Sequence, residues 1–346
     1  MIDSGKQRLD FVDLLKGFAI FLMVMGHFLA WTFPSDSDRG VFPLFVKDFI
    51  YSFHMPLFFF LSGFLVDLKK NEWKWSFFLS LISKRVMTLL IPGLSFCLLF
   101  WIRTGSLYFE WFLKALFEIY VLFATVKFLS FKLKCPFFVE ILFQIIVIAF
   151  VYCSTKLWSN TIADEIVAFH RLFHAYPYFV LGYIYYRCNI NRFVLEKNWI
   201  YSLSLVAFLF LFFAKYTDVL SDLTCSWAVA ISVIIVCFRF AQDVKYSEPG
   251  LITKKMLEWG RITLCIYLVS PLFIPWVPSL GRLFIEADMY EPYNNVFNSL
   301  HISTIFLQLI SGTIVTIYVC FMCQIVKKIV EKSNLLNFIF FGEKRK

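Results

Sequence analysis

Apolar runs long enough to cross a bilayer recur from Phe11 almost to the end of the chain, and only short polar segments separate them. Such runs leave little structural choice. In lipid every backbone N–H and C=O must be paired within the protein, so an apolar run of roughly 20 residues becomes a helix. Composition agrees: 60% of the 346 residues are hydrophobic and 16% charged, against about 25% charged in soluble domains. The expected fold is all-α, a polytopic bundle of about ten transmembrane helices in a single domain spanning 1–346. The spans are expected at roughly 11–31, 49–68, 86–102, 111–130, 137–154, 172–187, 199–214, 223–241, 262–280 and 301–326. Segment 73–84 is short and amphipathic and reads as lying in the interface. The first run is too long for a signal-peptide core and contains Asp13 and Lys16, so it reads as a retained span.

The net charge is +9. The basic residues sit at the ends of apolar runs. With the N-terminus inside, 23 Lys and Arg fall on the inner side and 8 on the outer, a bias that places both termini in the cytoplasm. The positive charge is therefore topological, and no nucleic-acid partner is expected. Membrane lipids are, and the expected location is a bacterial cytoplasmic membrane. The nine Cys lie mostly in or beside apolar runs and read as small apolar residues. Cys320 and Cys323 form a C-x-x-C without a partnering His, so no metal site is expected.

Ionisable groups inside a bilayer are costly and become functional candidates. The first span holds Asp13, Lys16 and His27. Eleven positions separate Lys16 from His27, about 1100° of helical rotation, so they share one face with a rise of about 16 Å. Asp13 and Lys16 stand at i, i+3, where they can neutralise each other. The bland alternative is a snorkelling Lys16 and an interfacial His27. The second span argues against it. Its entry, SFHMPLFFFLSGF, comes from the outer side and puts His54 at the depth of His27. Ser62 and Gly63 permit close helix approach. A histidine suits proton abstraction from a hydroxyl, and can also act as a nucleophile.

RLDFVDLLKGFAIFLMVMGHF (8–28) and SFHMPLFFFLSGFL (52–65) resemble the first two spans of the acyltransferase 3 family of membrane acyltransferases, the second most like its fucose 4-O-acetylase-type branch. SKRVMTLLIPGL (83–94), EWFLKALF (110–117), RLFHAYPYFVLGYIYYR (171–187) and EWGRITLCIYLVSPLF (258–273) are similar to later blocks. The resemblance implies a fold of about ten helices. It also implies transfer of an acyl group, usually acetyl, from cytoplasmic acyl-CoA to a hydroxyl of a glycan or glycolipid. His27 stands at the family's catalytic position, and Lys16 at its required basic position. Two positions depart from the pattern: Thr88 stands where a second arginine is common, and Ser270 where a histidine often falls.

Lys84, Arg85 and Lys16 are expected to meet the CoA phosphates, with plain topology as the alternative for the first two. His54 would orient His27, bind the acceptor or stabilise the oxyanion. His170, Arg171 and His174, at the start of the sixth span, are candidates to contact the acceptor or to anchor at the interface. Glu118 and Glu140 read as buried protonated or hydrogen-bonded carboxylates, His301 as interfacial, and Ser270 as bonded to a local carbonyl. The rival function is a transporter or flippase of a lipid-linked sugar, although the paired broken helices and inverted repeat of many transporters are not recognisable here.

Overall fold

The computed structural model describes residues 10–32, 45–66, 72–107, 109–158, 161, 164, 167–190, 197–216, 222–244, 249–275, 277 and 302–343. Among these residues every regular element is a helix. Among the described residues six helices are long and apolar enough to cross a membrane: Asp10–Thr32, Phe45–Val66, Trp75–Thr104, Phe137–Leu157, Ser226–Asp243 and Ile305–Val330. This is an integral membrane protein. Each of the ten expected segments falls on a helix, at least in part. Trp111–Lys132 and Phe169–Arg187 are long enough but more polar, while Asn198–Ala214 and Thr263–Leu272 are apolar but shorter. The chain divides into two compact units, Met1–Phe58 with Arg192–Lys327 and Phe59–Asn191 with Lys328–Lys346.

The first unit is built around α1 (Asp10–Thr32). It also contains α2 (Phe45–Tyr51) and the first turn of α3 (His54–Val66). Its later helices are α9 (Asn198–Tyr216), α10 (Asp222–Asp243), α11 (Leu251–Arg261), α12 (Thr263–Val269) and most of α13 (Ile302–Val330). The closest packing is α1 on α11. A methyl group at Gly17 would collide with the Met256 carbonyl, and one at Gly260 with the Asp13 carbonyl. The two glycines thus let the backbones touch. Phe21 and Trp259 stack beside this crossing with centroids 5.8 Å apart. The short helix α2 is held by aromatic contacts, Phe45 on Phe212 at 5.4 Å and Phe49 on Phe208 at 5.3 Å.

The second unit repeats the device. A Cβ at Gly63 of α3 would strike the Phe179 carbonyl, and one at Gly182 the Phe60 carbonyl. Here α3 crosses α8 (Phe169–Arg187). Around them lie α4 (Trp75–Arg85), α5 (Ile91–Thr104), α6 (Trp111–Lys132), α7 (Phe137–Leu157) and α14 (Asn334–Phe341). Segment 73–84, expected in the interface, is continuous with the helix that follows it. From Trp75 the helix runs on as α4, passes through a π-helical turn at Val86–Leu90 and continues as α5. Pro92 sits just after that turn. Its ring would crowd the carbonyl four residues back, and the wider π turn makes room without ending the helix.

Candidate active site

Lys16 and His27 both lie on α1 and both are half-buried. Nearer the start of that helix, Asp13 is buried and faces Arg261 of α11, 3.5 Å from its Nε, while Asp10 lies 3.4 Å from the same guanidinium. Arg261 therefore ties α1 to α11 at the Gly17–Gly260 crossing and is the ion-pair partner that Asp13 meets across the helix interface. In the sequence Arg261 counted only as an orienting charge, although it follows Gly260 directly in the EWGR block.

At the other end of α1, Gly26 is the point of contact with α2. A Cβ there would come 2.5 Å from the Tyr51 ring. Tyr51 in turn lies against His54, ring centroids 5.2 Å apart. His54 is buried at the first position of α3, and Pro56 follows within the same turn, where its missing N–H costs no helical bond. The His54 Nδ1 donates to the Ile50 carbonyl at 2.8 Å. His27 directly follows Gly26, the residue that meets Tyr51 and Ile50. The imidazole of His27 stacks on Trp31 at 5.6 Å. Its Nδ1 is buried without a hydrogen-bond partner among the described residues. Buried polar atoms are rarely left unpaired, and an exception asks for a reason. Ile50 and Tyr51 are thus contacted both by His54 and by Gly26, the residue before His27. Tyr51 was not singled out in the sequence, where nothing distinguishes it from an interfacial aromatic residue.

The other sequence candidates lie in the second unit. Lys84 is exposed. Arg85 is half-buried, its guanidinium 3.8 Å above the Tyr120 ring and its Nε buried without a hydrogen-bond partner among the described residues. Thr88, one turn on, donates to the Lys84 carbonyl at 2.9 Å. His170 and Arg171 open α8 and are exposed, and His170 packs on His174 at 4.5 Å. Arg171 lies over Trp111, 5.3 Å from the ring centroid. Glu140 forms an ion pair with Lys127 at 3.0 Å, and Lys127 also donates to the Tyr183 hydroxyl at 2.7 Å, so Glu140 is the hydrogen-bonded carboxylate expected of it. Glu118 lines a cavity and its Oε2 is buried without a hydrogen-bond partner among the described residues.

Ser270, in the first unit, corrects an expectation. Its Oγ is buried and bonds no carbonyl among the described residues. The chain tightens to a 3-10 turn at Ser270–Leu272, where the Ser270 carbonyl takes the N–H groups of Phe273 and Ile274. The turn is closed by backbone bonds and the hydroxyl plays no part in closing it. Cys320 and Cys323 are buried free thiols, as small apolar residues would be. His301 lies outside the described residues.

Residues 9–110, which contain Lys16, His27 and His54, match the family model of the acyltransferase 3 family, described as an acyltransferase domain. The chain is also similar to the nodulation protein NolL of Mesorhizobium japonicum, 25% identical over 321 residues, 83% of this chain and 79% of the relative. It is similar to the NolL protein of Sinorhizobium fredii as well, 29% identical over 200 residues, 50% of this chain and 47% of that relative. No solved structure matches the chain. Residues 9–110, which hold His27 of α1 and His54 of α3, are thus similar to the acyltransferase domain of that family, and these similarities together mark the protein as an O-acyltransferase.

Proposed function

We propose that this protein is an O-acyltransferase that moves an acyl group, acetyl in the simplest case, from cytoplasmic acyl-CoA to a hydroxyl of a cell-surface glycan or glycolipid precursor. The observation that carries the reading is the imidazole pair inside the acyltransferase domain. His27 has a buried Nδ1 without a hydrogen-bond partner among the described residues, and His54 is fixed by its bond to Ile50, which also contacts Gly26 next to His27. In this reading about ten helices span a bacterial cytoplasmic membrane with both termini inside. The distribution of basic residues supports that orientation, as does a helix at each expected segment.

Lys16 then lies toward the donor side, and His27 about 16 Å further along α1 toward the outer leaflet. An extended pantetheine arm has comparable reach. Lys84 and Arg85 are the proposed charge partners of the CoA phosphates, together with Lys16. His27 acts as base or as acyl acceptor. As base it takes the acceptor's hydroxyl proton while the oxygen attacks the thioester carbonyl. The C–S bond then breaks, and the departing CoA thiolate recovers a proton from the imidazolium. As acyl acceptor, His27 displaces the thiolate first and passes the acyl group on to the hydroxyl.

The test is turnover of acetyl-CoA by purified protein in lipid nanodiscs. His27→Ala is expected to abolish transfer and leave insertion and melting intact. Retained turnover overturns the role of His27. Movement of a lipid-linked sugar without acyl-CoA favours the transporter instead. Acid quenching and intact-mass measurement separate the two chemical routes, because only the second accumulates an acyl-histidine.

A further inference from the structure

In the second unit, the N-terminal ends of α6 and α8 enclose a cavity of about 450 Å³. That volume lies within the roughly 300–1,000 Å³ typical of ligand pockets. Phe109 and Trp111 form part of its wall, and Lys114, Glu118, His170 and Arg171 bring ionisable groups to it. Phe109 is held in place against α5, since a Cβ at Gly93 would come 2.6 Å from its ring. Arg171 is held over the Trp111 indole. Asp164 also lines the cavity, but its carboxylate is already engaged with the Phe169 N–H at 3.1 Å, at the start of α8.

We propose that this cavity is a carbohydrate-binding subsite that takes an uncharged sugar ring. The lining decides the class. An acyl chain would strand the ionisable groups in contact with hydrocarbon. A phosphate or a uronate would meet Glu118 and Asp164 as like charges, and an ammonium sugar would meet Lys114 and Arg171. A neutral polyol suits all of them. Its hydroxyls donate to the Glu118 carboxylate, whose Oε2 has no hydrogen-bond partner among the described residues, and accept from Arg171. Its C–H face covers Phe109 and Trp111. The proposal rests on the glycan-acceptor reading above.

The experiment is saturation-transfer NMR on the full chain in nanodiscs, with methyl glycosides of neutral hexoses, and with a methyl glucuronoside and a methyl glucosaminide as charged counterparts. Neutral glycosides are expected to show transfer and the charged ones to bind several-fold more weakly. Glu118→Gln and Trp111→Ala should each weaken neutral binding about tenfold or more. Arg171→Gln, at an exposed position, serves as the variant least able to disturb folding and should weaken it as well. No transfer from neutral sugars overturns the subsite, as does equal binding of the uronate, or affinity unchanged in Glu118→Gln and Arg171→Gln. His27→Ala separates the two readings, because it should bind the glycosides normally while losing turnover. Wild-type turnover without glycoside binding sinks the subsite alone. Binding without any acyl transfer sinks the proposed reaction alone.

Discussion

The Nδ1 of His54 sits 2.8 Å from the carbonyl oxygen of Ile50, across the break between α2 and α3. A carbonyl can only accept, so Nδ1 carries the hydrogen, and the Nε2 of the neutral ring keeps its lone pair. The bond sets the tautomer and the orientation of the ring together. It also makes His54 part of the local fold, because the same carbonyl takes the N–H of Phe53 at 3.3 Å.

This division of labour between the two ring nitrogens can be tested by substitution. Asn places an amide N–H near the position of Nδ1 but has nothing in place of Nε2. His54→Asn should therefore melt close to wild type, whereas His54→Ala should melt lower. If Nε2 serves the reaction, both should lose about 10²–10⁴-fold in kcat. Wild-type turnover in His54→Asn would confine His54 to a structural role.

The α1–α11 crossing leaves no room for a side chain. Because the atoms met at Gly17 and Gly260 are backbone, they cannot rotate away. Gly17→Ala and Gly260→Ala should each cost about 1–3 kcal/mol in denaturation measurements. Gly250 has nothing within 4 Å of its Cβ position and stands at the N-cap of α11. Gly250→Ser, a good capping residue, should be neutral or slightly stabilising.

Lys127 and Glu140 are both buried, with side chains 8% and 9% exposed. Removing one partner leaves the other charge buried, at a cost of about 3–5 kcal/mol. Lys127→Met and Glu140→Leu should each destabilise the protein on that scale. The double variant should recover most of the loss, read as a coupling energy in a double-mutant cycle. Additive losses would show that the pair contributes through packing alone.

Glu258, on α11 outside the apolar spans, accepts from Lys255 at 2.8 Å and from Gln324 at 3.3 Å. The Lys255 hydrogen bond holds its carboxyl below the usual carboxylate range; burial opposes it, and the Gln324 hydrogen bond and the nearby lysine charges add to the lowering. A carboxylate lowered in the folded state stabilises above its unfolded value, and the contribution fades as pH falls through the lowered one. Melting temperature followed downward from neutral pH should therefore lose a small component in the acid range, and Glu258→Gln should lack it. The pair is partly exposed, so the effect should stay within roughly 0.2–1 kcal/mol. Identical acid profiles for the two proteins would remove Glu258 from the acid response.

Much of the helical framework was legible in the residues, because it depends on local quantities. An apolar run must become a helix in lipid whatever surrounds it. The eleven-residue spacing of Lys16 and His27 fixes their shared face through the helical period alone. Span direction led to the expectation of His54 at the depth of His27; in the structure His54 contacts Ile50 and Tyr51, and so does Gly26, the neighbour of His27. What the sequence did not reveal for 73–84, a short amphipathic stretch expected in the interface, is its continuity with the next helix through the π turn at Val86–Leu90.

What the sequence by itself determined is therefore a set of helices and the faces on which their polar groups lie. Only the tertiary structure decided which groups meet. Asp13 meets Arg261, Glu140 meets Lys127, Arg85 covers Tyr120, and Glu118 shares a cavity wall with Arg171. The physical reason is the close backbone contact at Gly17 with Gly260 and at Gly63 with Gly182, which sets where helices distant in sequence cross. A charge in a span announces that it needs a partner, but the identity of that partner follows from those crossings.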